Sequence, residues 1–100
     1  MISHLVLLKC RPDAPAQQLG EMFQALAQLV EQIPGLQSYT GGSNNSPEGI
    51  NRDYSHAFYM RFDSEESRDN YLFHPAHEAV KVLIGETLLG VEDNVLVVDF

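Results

Sequence analysis

Apolar and polar positions switch between two periods along this chain, and each switch marks an element. Residues 2–10, ISHLVLLKC, form a β-branched and aliphatic run too short for a helix, which predicts a first strand. Between 15 and 33 the apolar residues Leu19, Met22, Phe23, Leu26, Leu29, Val30 and Ile33 recur at helical spacing. Such a one-sided stripe predicts an amphipathic helix. RPDAP marks its start and Pro34-Gly35 its end. LQSYTGG, 36–42, reads as a weaker second strand, and YSHAFYMRF, 54–62, as an aromatic-rich third. The polar segment 42–53 between them is long for a hairpin, a length common in lids and binding loops. In DSEES, Asp63 is placed to cap a helix, with Glu66 three residues on as in a capping box. That helix runs to about 73, where Pro75 interrupts it, and a second helical piece runs from about 76 to 89. Gly90 closes it, and NVLVVDF, 94–100, reads as a fourth strand.

The resulting order β-α-β-β-α-β predicts an α+β, ferredoxin-like protomer. Four antiparallel strands would carry the helices on one face, in a single domain covering 1–100. Strand 1 is apolar at even positions (Ile2, Val6, Leu8) and at odd ones (Leu5, Leu7), and strand 4 is apolar on both phases too. Strands of that kind are usually covered on both faces, and helices can cover only one. A second copy packed sheet to sheet, a homodimer, is the expected cover.

Charge narrows the partners. Six basic and fourteen acidic residues give a formal net charge of −8, so neither nucleic acid nor an anionic membrane is expected. Cys10 is the single cysteine, so no internal disulfide can form. Together with an N-terminus lacking a basic signal region, this fits a cytoplasmic setting. No stretch reaches the roughly 20 apolar residues of a membrane span. No phosphate-loop spacing occurs around Gly41-Gly42, and Cys10 lies at the end of an apolar strand without an activating motif.

The candidate chemistry gathers on histidines. In NYLFHPAHEAV, 70–80, a proline separates His74 from His77. Pro75 pushes His74 away from helical angles, into a cap, and places His77 in the first helical turn. The positive end of the helix there disfavours imidazolium, so His77 is expected to be a neutral base. The proline also spoils the geometry by which the two histidines would share a metal, and no metal and no cofactor are expected. Tyr71 could hydrogen-bond a carbonyl and the enolate formed from it. His4 lies mid-strand among aliphatics, where an unpaired polar group costs roughly 1–3 kcal/mol, so it must have a partner. His56 has a similar phase in strand 3, near Phe58.

HLVLLK at 4–9, IPGLQS at 33–38, YSH at 54–56, FDS at 62–64, YLFHPAH at 71–77 and the terminal VVDF follow one another along nearly the whole chain. In these motifs the chain resembles the stress-responsive α/β-barrel (Dabb) family of dimeric α+β-barrel proteins. The resemblance implies a ferredoxin-like protomer and a barrel-forming homodimer. One branch, the plant polyketide cyclases of the olivetolic-acid type, closes a poly-β-ketone by aldol condensation without metal or organic cofactor. Its strand histidine, helix tyrosine and helix histidine correspond to His4, Tyr71 and His77. The central loop departs from that branch and does not obviously build a pocket for a long alkyl ketide. The leading expectation is a small-molecule-binding dimer with cofactor-free acid–base chemistry of cyclase, aldol or isomerase type on a carbonyl compound. His4, Tyr71 and His77 would be catalytic, and His56, Phe58 and His74 would contact substrate. A non-catalytic ligand-binding or stress-response dimer is the alternative, and an antibiotic-biosynthesis-type monooxygenase a weaker one.

Overall fold

The computed structural model of the chain describes residues 1–100. Its strands are β1 (Ile2–Leu8), β2 (Leu36–Ser43), β3 (His56–Phe62) and β4 (Val95–Asp99), and its helices α1 (Ala16–Gln32), α2 (Glu65–Leu72) and α3 (Pro75–Thr87). The sheet runs β2-β3-β1-β4, and every neighbouring pair is antiparallel. This is the ferredoxin-like α+β plan, with the interrupted second helix resolved into two.

Register decides what faces the helices. His4 stands opposite Met60 of β3 and Asp99 of β4; Val6 lies between Phe58 and Val97, and Leu8 between His56 and Val95. The helical stripe of α1 presses Met22, Leu26 and Leu29 onto this face, and all three are buried with Val6, Leu8, Phe58, Met60 and Phe62. Burial of each large aliphatic or aromatic side chain contributes about 1.5–3 kcal/mol, so this layer carries most of the fold's stability.

The turns explain where the elements end. Gly35 adopts φ +84°, and a side chain there would run into Ser67 and Asp63, so the α1–β2 turn requires glycine. The cap of α2 differs from the capping box expected at Asp63 and Glu66. Ser64 is the N-cap, its hydroxyl accepting from the Ser67 amide at 3.1 Å. Asp63 instead continues the strand end, its amide donating to the Gly35 carbonyl. Pro75 occupies the first position of α3, where its missing N–H costs nothing. β1 ends at Leu8 rather than 10, and Cys10 forms an isolated bridge to Leu88, which closes α3 two residues earlier than the periodicity suggests.

β4 corrects one simple expectation. The helices leave its inner face half-open: Val95 and Val97 are 41% and 52% exposed. Leu96 and Val98 share the outer sheet face with Leu5 and Leu7, which no helix covers. Val95 and Val97 face the helical layer, but α1 packs over β2 and α3 packs beside α1, so the layer stops short of β4. The gap left there is the candidate site. No helix is long and apolar enough to cross a membrane.

Candidate functional site

A cavity of about 380 Å³ opens between α3 and the β1–β4 edge. That is near the small end of ligand-sized pockets. Its walls are mostly aliphatic, with Val95 and Val97 on one side and Ile84 and Leu88 on the other. At one end three polar rings converge: His4 from β1, Tyr71 from α2 and His77 from α3. The rings of Tyr71 and His77 lie 4.2 Å apart, and those of His4 and Tyr71 6.0 Å apart.

Each imidazole is tied through the same nitrogen. His4 Nδ1 is 2.7 Å from Asp99 Oδ1. A carboxylate only accepts, so this nitrogen carries the proton and Nε2 holds the lone pair of the neutral ring. His77 Nδ1 donates to the Leu72 carbonyl at 3.1 Å, which likewise leaves Nε2 with a lone pair. Burial lowers the His77 pKa below its ordinary value; the Leu72 carbonyl pulls the other way, and Lys81 adds to the lowering. A neutral imidazole therefore dominates at pH 7. Burial pushes the Tyr71 phenol far up, so it stays protonated as a donor. Its hydroxyl makes no hydrogen bond within the chain, although the residue is only 1% exposed.

The local sequence builds this corner by interrupting a helix. Phe73 closes α2, and His74 caps α3 by accepting from the Ala76 amide through Nδ1 at 3.0 Å. The chain thus re-enters a helix with His77 in its first turn, aimed back over Tyr71. The cap occupies His74, which lies outside this cavity. His56 lies outside it too. It stands at the far end of the β1–β3 pair, bonded to Ser55 Oγ at 2.8 Å and packed on the Phe23 ring at 5.8 Å. Burial lowers the His56 pKa as well. Of the residues expected to contact substrate, Phe58 alone joins His4, Tyr71 and His77 on the cavity wall. A second concavity of about 310 Å³ touches His56 from beneath the 44–54 loop, without Tyr71, His77 or His4. The converging rings make the cavity between α3 and the β1–β4 edge the site.

Two residues of the site were not anticipated. Asp99 holds His4 with one carboxylate oxygen and takes Arg68 Nη1 on the other at 2.7 Å. The signal for Asp99 is visible in VLVVDF: it shares the phase of Val95 and Val97, so it must point inward and needs a partner. Arg68 carries no comparable signal, since α2 is short and polar. No three metal-ligating side chains converge anywhere in the chain.

Comparison with known proteins places the fold in a family. The family model of the stress responsive A/B barrel domain matches residues 2–100. The chain is 29% identical over 99 residues to the stress-response A/B barrel domain-containing protein HS1 of Arabidopsis thaliana, covering 99% of this chain and 87% of that one. It is 26% identical to the olivetolic acid cyclase of Cannabis sativa, covering 99% and 94%. A crystal structure from Jannaschia sp. CCS1, described as a dimeric ferredoxin-like protein of unknown function, superposes with a TM-score of 0.87 at 26% identity, covering 99% and 96%. Fold and family model coincide over essentially the full length: the chain belongs to the stress responsive A/B barrel domain family.

Proposed function

We propose that the cavity between α3 and β4 binds a small carbonyl compound with an apolar body and moves a proton on it without a cofactor. The observation that carries this reading is the convergence of His4, Tyr71 and His77 at one end of an otherwise aliphatic cavity. His77 Nε2 removes a proton from the carbon beside the carbonyl. The electron pair moves to the carbonyl oxygen, and the Tyr71 hydroxyl donates to the enolate that forms. The enolate carbon then attacks a second carbonyl, as in an aldol or cyclisation step, or is reprotonated elsewhere, as in an isomerisation. His77 returns the proton. His4, fixed through Asp99, orients the bound carbonyl. The likeness to olivetolic acid cyclase supports a reaction of this type, and the small volume favours a short substrate.

Proton exchange at the α-carbon tests the reading without knowledge of the natural substrate. Medium-chain methyl ketones in D₂O, followed by NMR, should exchange faster with the protein than in buffer. His77→Ala should remove about 10²–10⁴-fold of that rate, the range of positioned acid–base groups. Exchange surviving in both His77→Ala and His4→Ala sinks the assignment. The packing of the His4, Phe62, Tyr71 and His77 rings supports a second reading, ligand binding without chemistry. Under it, the same substitutions lower the melting temperature and no ketone exchanges.

The outer sheet face supports a homodimer. Leu5, Leu7, Leu96 and Val98 form a contiguous apolar strip, of a kind that seldom stays in water on a monomer. Sedimentation at micromolar concentration should give the mass of two chains, and Leu96→Asp should give one. A monomeric parent would refute the pairing.

A further inference from the structure

The Asp99 carboxylate is shared, and the sharing suggests a role for the residue on its far side. Oδ1 meets His4 Nδ1 and Oδ2 meets Arg68 Nη1, both at 2.7 Å. The three side chains are 7%, 21% and 20% exposed. Arg68 is itself held from behind, its Nε donating to Asp69 at 2.9 Å. Only a planar fork can serve two carboxylates through different nitrogens in this way. The network joins α2 to β4 and β4 to β1, three of the elements that border the cavity.

Charge gives the network its consequence. A carboxylate bonded to an imidazole alone favours the imidazolium, which has no lone pair to offer. A guanidinium on the other oxygen opposes this, because its positive charge sits one carboxylate away from the ring. We propose that Arg68 is a positioning residue of the cavity, which locks Asp99 onto His4 and offsets its charge, so that His4 is oriented while its Nε2 stays free. This deepens, and for its link to catalysis rests on, the acid–base reading of the cavity. The other charged or titratable groups facing His4 are Tyr71 from α2 and His77 and Lys81 from α3; β3 contributes only Phe58, Met60 and Phe62. None of these replaces Arg68 on Asp99.

Ring-carbon and ring-nitrogen NMR of His4 across pH tests the proposal without any substrate. In the parent the neutral ring should be the Nδ1–H tautomer. In Arg68→Leu the titration midpoint of His4 should move upward, because Asp99 then serves the imidazole alone. Arg68→Lys, which keeps the charge, should titrate close to the parent. Arg68→Gln carries the same expectation as the leucine variant and serves if that protein does not fold. A His4 midpoint unchanged by loss of the charge overturns the proposal, as does an equal shift in the lysine and uncharged variants. The two readings fail separately. A shifted midpoint with no ketone exchange in the parent rejects the acid–base reading and keeps the Arg68 assignment. Exchange in the parent with an unmoved midpoint does the reverse.

Discussion

His4 and His56 occupy the two ends of the same pair of strands, on the same sheet face, yet meet different surroundings. His4 stands opposite Met60 near one end, and His56 opposite Leu8 at the other. At the His4 end, β4 supplies Asp99, and the α2–α3 break supplies Tyr71 and His77. At the His56 end, α1 supplies the Phe23 ring, and the neighbouring residue supplies a hydroxyl. One end has the parts of an acid–base site beside an open cavity, while the other has a histidine satisfied by its neighbours. The residue type and its phase are the same in both. What differs is which distant elements the topology delivers, and where the helical layer runs out.

The contrast is broken most directly by removing one hydroxyl at the first end and one ring at the second. Tyr71→Phe keeps the aromatic packing with Phe62 and His77 and removes only the donor. Loss of a donor to a developing oxyanion typically costs about 10²–10³-fold in rate. The ketone exchange rate should fall by that order while the melting temperature stays near the parent's. His56→Ala should do the opposite, lowering the melting temperature through lost contact with Phe23 and leaving exchange within about twofold, since its ring makes no contact with the cavity end where Tyr71 acts. An exchange rate that drops as far in His56→Ala as in Tyr71→Phe would erase the distinction between the two ends.

Much of this arrangement is legible in the sequence, and what is not has a physical cause. The α1 stripe, the cap at His74 and the place of His77 follow from local rules of period, proline and helix start. Those rules act within a few residues, so they transfer without knowledge of the rest. The need of His4 for a partner is local too, and His4 and His77 border one cavity. His56 shares the phase of His4, and phase alone cannot tell which end of a strand pair meets further polar rings across a cavity. The decision lies in β4, 95 residues from His4 along the chain, through the bond to Asp99. The exposure of β4 shows the same limit. Two-sided apolarity signals two coverings, but not that the inner one would be a cavity instead of a helix.

Acid titration gives a smaller effect and sharpens the comparison from the other side, because on this measure the two ends behave alike. Burial lowers the pKa of both His56 and His77 below the ordinary 6.5. The sign follows from proton counting. Between the folded and the unfolded value the unfolded chain binds more protons, so stability rises with pH through that window. The melting temperature should therefore be highest above about pH 6.5 and decline as pH falls below it, ahead of ordinary carboxylates, which titrate near 4. Both rings are partly exposed, so the decline should be modest. His56→Gln and His77→Gln should each flatten it, and the double variant most. Activity should separate what stability does not: the acid limb of ketone exchange should persist in His56→Gln, because the proton that inhibits is the one on the base that acts, His77. A melting temperature that climbs on acidification through this window would contradict the burial of both rings as neutral species. An acid limb that vanishes with His56 would move the base to the other end of the sheet.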